Sequence, residues 1–231
     1  MITDAHRVGV AVWMEMRGTR GMTDIDSQIR VCVRAYMRDV RPRAHREWQH
    51  YAQLPTLADA IEQAALALTS KGKRHPHQRR LKQEVHVAVR NNLLQEIQAL
   101  RDSASFDAIL GLVQACSVPG FGELARYDTA LRIGIWRSLL PDKVYLHAGT
   151  RRGARNLGLD VSQDYLTLEE IPVQFRDLAP HEIEDALCIY KDDFARRAPG
   201  LLGRPCARRR HRRVACSPTL RAIPRPLACT V

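Results

Sequence analysis

The chain has 231 residues, 45% hydrophobic and 26% charged, a balance that supports a packed core and excludes collagen-like, wholly disordered and membrane-spanning classes. Its formal net charge of +11 suggests an anionic partner such as nucleic acid. That charge is concentrated: residues 196–231 hold ten arginines with no lysine and no acid, while the first 195 residues carry 26 basic and 25 acidic groups and are close to neutral.

Residues 1–28 show no sustained period and are expected to form a loosely ordered leader. Within it Val8 to Met14 is apolar but short, interrupted by Gly9 and followed by Glu15, so no signal peptide is expected, and no stretch reaches the length of a membrane span. From Ile29 the pattern turns helical, with Ile29, Val33, Tyr36, Met37 and Val40 at three- and four-residue steps until Pro42. A second helix is expected over 57–69 on Leu57, Ile61, Ala64, Ala65 and Leu68. Leu81, Val85, Val89, Leu93, Ile97 and Leu100 predict one long amphipathic helix.

Phe106, Ile109, Leu110 and Val113 predict a shorter helix, ended by the turn Ser117 to Gly122. Helix resumes near Glu123, with Leu124, Tyr127, Leu131 and Ile135 expected inward, and breaks at Pro141. Thr150 to Asn156 reads as a basic helix, and Thr167-Leu168-Glu169-Glu170 matches a capping box for a short helix halted by Pro172. Pro180 opens a last helix with Ile183, Leu187, Tyr190 and Phe194 on one face. No run alternates like a strand. The expected fold is all-α, a bundle of about eight helices over 29–195.

The segment Val118-Pro119-Gly120-Phe121-Gly122 between two amphipathic helices carries the most specific chemistry. Two glycines flanking one apolar residue allow a tight turn, tuck Phe121 inward and aim free amides from the next helix start, a natural phosphate ligand. Together with its flanking helices it resembles a helix-hairpin-helix, with a plain helix-to-helix turn as the alternative. Residues 120–132, and Thr150-Arg151-Arg152-Gly153-Ala154-Arg155-Asn156-Leu157-Gly158-Leu159 downstream, resemble the helix-hairpin-helix DNA base-excision glycosylases over residues 106–159. The resemblance implies an all-α body and DNA as partner. It also implies departures. The lyase lysine of that family falls at Leu124, so no Schiff-base nucleophile stands there. The catalytic aspartate falls at His147 when the arginine-bearing helix is aligned, or at Asp142 when residues are counted forward from Leu124. Glu123 puts a negative charge at the helix start, which suits the helix dipole but opposes a phosphate.

Two basic clusters accompany the hairpin. Lys71, Lys73, Arg74, Arg79, Arg80 and Lys82 stand with His75 and His77 and no acid, suited to phosphate or else to a solvated helix start. Lys143, His147, Thr150, Arg151, Arg152 and Arg155 form the other, with Tyr145 and Leu146 as core anchors; for His147 the alternative is a core histidine bonded to backbone. The candidate DNA-contacting residues are therefore Gly120, Gly122, Lys143, His147, Thr150, Arg151, Arg152, Arg155, Lys73, Arg74, Arg79 and Arg80.

His75-Pro76-His77 with His86 has a proline in its midst and no nearby carboxylate or thiol, so no metal and no cofactor is expected. The six cysteines, Cys32, Cys116, Cys188, Cys206, Cys216 and Cys229, include no CxxC pair and fit reduced thiols of a cytoplasmic protein. The tail 196–231, with five prolines and no helical period, is either a basic arm or, preferably, out-of-frame translation of a GC-rich gene. The functional expectation is a non-catalytic DNA-binding protein. A monofunctional glycosylase-like enzyme using Asp142 and a helical protein-interaction module are the alternatives.

Overall fold

The computed structural model describes residues 24–195. Most of the leader and all of the tail lie outside the described residues. Within them the chain is predominantly helical, with ten α-helices. These are α1 (24–39), α2 (Arg41–Ala52), α3 (Leu57–Ala65), α4 (Gln83–Gln95), α5 (Ile97–Asp102), α6 (Phe106–Ala115), α7 (Glu123–Arg137), α8 (Ala148–Asn156), α9 (Pro180–Ile189) and α10 (Lys191–Phe194). None of the described helices is long and apolar enough to cross a membrane.

The apolar residues sort into two cores. One is built by α3 to α7 around Ile61, Leu93, Leu100, Ile109, Phe121, Tyr127 and Ile133. The other joins α1 to α8, α9 and α10 through Tyr36, Leu146, Phe175, Ile183 and Leu187. The short strand β1 (Val144–Tyr145) is the wall between them. Successive side chains of an extended segment point to opposite faces, so Val144 and Leu146 enter the second core and Tyr145 the first. β1 pairs antiparallel with β2 (Tyr165–Leu166), Val144 opposite Leu166 and Tyr145 opposite Tyr165. Two residues per strand are too few for an alternating pattern to register in sequence.

Local chemistry explains the helix ends. Thr56 caps α3 with a full capping box, accepting from the Asp59 amide at 3.1 Å while its own amide donates to Asp59 Oδ2 at 3.1 Å, a device that stabilises by about 1 kcal/mol. Ser105 caps α6 through the Ala108 amide at 3.2 Å. Arg41 at the start of α2 grips the buried Glu182 at the start of α9 with two bonds, Nε to Oε1 at 2.7 Å and Nη2 to Oε2 at 2.5 Å. Burial raises the Glu182 carboxyl, but the Arg41 guanidinium and the Ala179 amide together outweigh that and hold it below its usual value.

Four expectations are corrected. Pro42 does not end helical structure: it lies in the first turn of α2, where its fixed φ and missing N–H cost nothing. The long helix over 81–100 breaks at Glu96 into α4 and α5, yet Leu93 and Leu100 stay buried across the break, so the apolar spacing hides it. At 167–170 the capping contacts form, Thr167 N–H donating to Glu170 Oε2 at 2.7 Å, but the chain makes only one turn. Pro172 disfavours a helical Ile171, and one turn cannot propagate. Leu124 is 38% exposed, while α7 buries Ala125, Tyr127, Ala130 and Ile133.

Two glycines set how closely α8 lies on α9. A Cβ on Gly149 would fall 2.4 Å from Cys188 Sγ, and one on Gly153 would fall 2.2 Å from the Leu187 carbonyl oxygen. At Gly153 the clash is with backbone and only hydrogen fits, while at Gly149 a methyl would have to displace the Cys188 thiol; the two sit one helical turn apart on one face.

Candidate functional site

The 118–122 hairpin is closed by a bond from the Phe121 amide to the Val118 carbonyl at 3.0 Å. Gly120 takes φ +92°, a conformation that costs a side-chain-bearing residue and not glycine. Phe121 is 1% exposed and meets the His86 ring edge-on at 5.9 Å, a burial that stabilises by about 2–3 kcal/mol. Arg126 Nε donates to the Phe121 carbonyl at 2.9 Å and holds the turn onto the first turn of α7. Gly122 is the N-cap of α7, and no side chain caps that helix start. Its φ of −72° is open to any residue, and a Cβ there would meet nothing within 4 Å. The fold does not require glycine at 122.

Beside the hairpin lies a cleft of about 330 Å³. One wall is the start of α7, with Gly122, Glu123, Leu124 and Ala125; another is the start of α8, with His147, Ala148 and Gly149. His77, Gln78 and Leu81 close one side and Cys188 of α9 the other. Leu124 and His147, the positions at which the resemblance puts the lysine and one placement of the aspartate, thus line the same cleft.

His147 is the N-cap of α8, and again no side chain caps the helix. Its side chain is only 8% exposed, its ring lies 4.4 Å from that of Tyr127, and neither ring nitrogen has a hydrogen-bond partner. Two carboxylates stand outside bonding range: Glu123 Oε1 is 3.9 Å from Nδ1 and Glu184 Oε1 is 4.0 Å from Nε2. Burial pushes the imidazole below its ordinary pKa and keeps it neutral at pH 7. Glu184 accepts a bond from Thr150 Oγ1 at 2.6 Å, and burial, reinforced by neighbouring Asp185, pushes its carboxyl well above the usual range. Asp185, which accepts from the Tyr36 hydroxyl at 3.3 Å, is pushed up to about 6 by burial and by Asp128. Burial also raises Asp128, yet Arg132 and His77 overcome it and hold the carboxyl below its usual value. His77 Nε2 lies 2.5 Å from Asp128 Oδ2, and Gln78 Nε2 donates to the same oxygen at 2.8 Å. The Cys188 thiol is raised by burial, which makes it a poor nucleophile.

The basic residues divide sharply. Arg79, Arg80 and Lys82 are exposed next in sequence to Gln78 and Leu81, which line the cleft, and among the described residues none has an acidic partner. Arg79 Nε does donate to the Arg74 carbonyl at 3.2 Å. Arg74 is half-buried and bonds Leu81 O and Gln83 Oε1, whereas Lys73 is exposed. Arg151 is consumed internally: it donates to the carbonyls of Val161 at 2.6 Å, Gln163 at 2.8 Å and Leu146 at 3.1 Å, and to Asp164 Oδ1 at 2.8 Å. Lys143 pairs with Asp107 at 2.7 Å and lies 4.4 Å from the Tyr165 ring centre. Arg152 pairs with Asp192 at 2.7 Å on the surface, Arg155 is exposed, and Thr150 is buried on Glu184.

Asp142 occupies an exposed turn and does not line the cleft. Among the described residues no three of His, Cys, Asp and Glu converge to hold a metal ion, and His86 instead bonds the Ala65 carbonyl at 2.7 Å. Sequence reasoning did not find Gln78, Asp128, Glu184 or Cys188 as neighbours of the hairpin. The one available signal was the Gly149 and Gly153 spacing, which marks close approach of another helix to α8. Compared with known protein families, with curated proteins and with solved structures, the chain matches none of them.

Proposed function

We propose that the protein binds duplex DNA without cutting it, seating the hairpin and the uncapped start of α7 on a backbone phosphate while Arg79, Arg80 and Lys82 reach adjacent phosphates. The observation that carries this reading is Gly122: it is exposed, unstrained and surrounded by open space, so its lack of a side chain serves approach by something outside the fold. Amides of an uncapped helix start are phosphate donors, and three unpaired cations beside them supply the sequence-independent attraction that dominates DNA affinity. Leu124 in place of an amine removes imine chemistry, and Asp142 in an exposed turn, outside the cleft, lacks the enclosed position a glycosidic acid needs. Free thiols at Cys116 and Cys188 fit a reducing cytoplasm.

The test is duplex binding by the full chain and by the chain ended at Ala195, each with and without Gly122→Val. Charge-assisted bonds contribute about 1.5–3 kcal/mol, so a loss of at least tenfold is expected in the shorter chain. Equal affinities of parent and variant at low salt would contradict the reading.

A further inference from the structure

We infer that the cleft between the starts of α7 and α8 binds a phosphate monoester group, with His147 as the donor at its floor. This rests on the DNA reading only for the source of the group, a strand end rather than a free nucleotide. Two helix starts without side-chain caps face the same 330 Å³ space. Each presents unpaired amides and the positive end of a helix dipole, and α7 and α8 are 15 and 9 residues long.

The second observation is independent of the helices. His147 is over nine-tenths buried, it lines the cleft, and both of its ring nitrogens lack a partner. A buried donor left unbonded costs about 1–3 kcal/mol, which an acceptor entering the cleft would recover. A neutral imidazole has one N–H to give. The group behind it, Glu184, accepts a bond from Thr150 Oγ1, and burial raises its carboxyl well above the usual range, which weakens its repulsion of an anion. Asp128 is spent on Arg132, His77 and Gln78.

The α7 amides that seat a backbone phosphate on intact duplex prefer a terminal monoester where a strand end offers one. Donors converge from α7, α8 and the floor, which suits a group with three free oxygens on one side. A diester offers two and needs an exit for the chain at both ends. The cleft is at the small end of ligand-sized pockets, and Leu81, Leu124 and Ala125 give an apolar flank for the attached sugar. Glu123 is the competitor. Its carboxylate lies 3.9 Å from His147 Nδ1 and its side chain is 60% exposed, so it is free to swing outward when a phosphate enters. Removing its charge therefore strengthens phosphate binding, an effect that a merely structural glutamate would not show.

The experiment uses the full chain with ¹⁵N-labelled histidine. Inorganic phosphate, a nucleoside 5′-monophosphate, and nicked duplexes bearing a 5′-phosphate or a 5′-hydroxyl are titrated in turn, with His147 resonances assigned by comparison with His147→Gln. Expected are a shift of the His147 resonances with every phosphate-bearing probe and about tenfold preference for the 5′-phosphate nick, the worth of one charge-assisted bond set. Glu123→Gln is expected to tighten phosphate several-fold and His147→Gln to remove the preference. No His147 shift with any probe, together with equal affinity for the two nicks, overturns the inference, and the DNA reading then stands or falls on Gly122→Val alone. A shift with phosphate and mononucleotide while neither duplex binds supports the site, assigns it to free nucleotides and rejects the DNA reading.

Discussion

The hairpin side and the arginine-bearing helix α8 look alike as strings of basic residues, yet the fold treats them in opposite ways. Beside the hairpin, Arg79, Arg80 and Lys82 stand in solvent with no acidic partner among the described residues, around a glycine that packs against nothing. On α8, Arg151 is tied to three carbonyls and an aspartate, Arg152 to Asp192, and the glycines are pressed against α9. Positive charge in a sequence is therefore not positive charge available to a partner. What separates them is internal partners: Arg151 and Arg152 meet acids of the same chain, which Arg79, Arg80 and Lys82 do not, while Arg155 on α8 stays exposed.

The contrast is most easily broken at the glycines. Gly153→Ala is expected to cost about 2–3 kcal/mol, because its methyl would meet the Leu187 backbone, which has no rotamer to escape through. Gly122→Val should cost no more than about 1 kcal/mol in urea unfolding, the loss of a favourable N-cap residue, since its side chain enters open space. Similar losses for the two would mean that the hairpin is packed after all.

Arg151→Ala ranks next. Four acceptors lose their donor and the 161–164 loop loses its anchor to α8, an expected cost of about 2 kcal/mol with DNA affinity unchanged once the variant is folded. A stability within error of the parent, with weakened DNA binding, would reverse the assignment of Arg151 from structural to external.

Acid should act on the sealed side first. His181 on α9 packs edge-on against Trp48, and burial lowers its pKa from the ordinary 6.5 to about 4. A histidine depressed in the folded state gives stability that is full above pH 6.5 and falls away as pH drops toward 4, because the unfolded chain takes up the proton first. Asp185, raised to about 6 by burial, works in the opposite sense, giving stability present below its unfolded value near 3.8 and lost as pH rises through 6. Urea midpoints of His181→Phe should vary less than those of the parent between pH 6.5 and 4. An unchanged dependence would assign the acid sensitivity to other groups.

Much of the fold was legible because burial on one helix face leaves a period. Ile29, Val33 and Tyr36, Phe106 to Val113, and Ile183, Leu187, Tyr190 and Phe194 carry that period and are buried where it says, whereas Met37 and Val40 are only half-buried. α2 was not legible: its twelve residues are mostly polar, Tyr51 alone is buried, and Pro42 reads as a stop although it suits a first turn. Leu124 misled for a related reason, since hydrophobicity marks a residue that avoids water but not whether a core or a cleft receives it. The hairpin could be read locally because Gly120, Phe121 and Gly122 do their work in five residues. The cleft could not. His77, Glu123, His147 and Cys188 come from four separated elements, and only tertiary packing brings them together.

The most direct measurement is the salt dependence of duplex affinity for the chain ended at Ala195, compared between Arg79→Ala/Arg80→Ala/Lys82→Ala and Arg151→Ala. Each phosphate contact adds about 0.9 to the slope of log affinity against log salt. The hairpin-side variant is expected to flatten that slope by about 0.9 for each contact it loses, while Arg151→Ala leaves it where the parent has it. A slope unchanged by the triple substitution and flattened by Arg151→Ala would contradict the assignment of the DNA-contacting surface to the hairpin side.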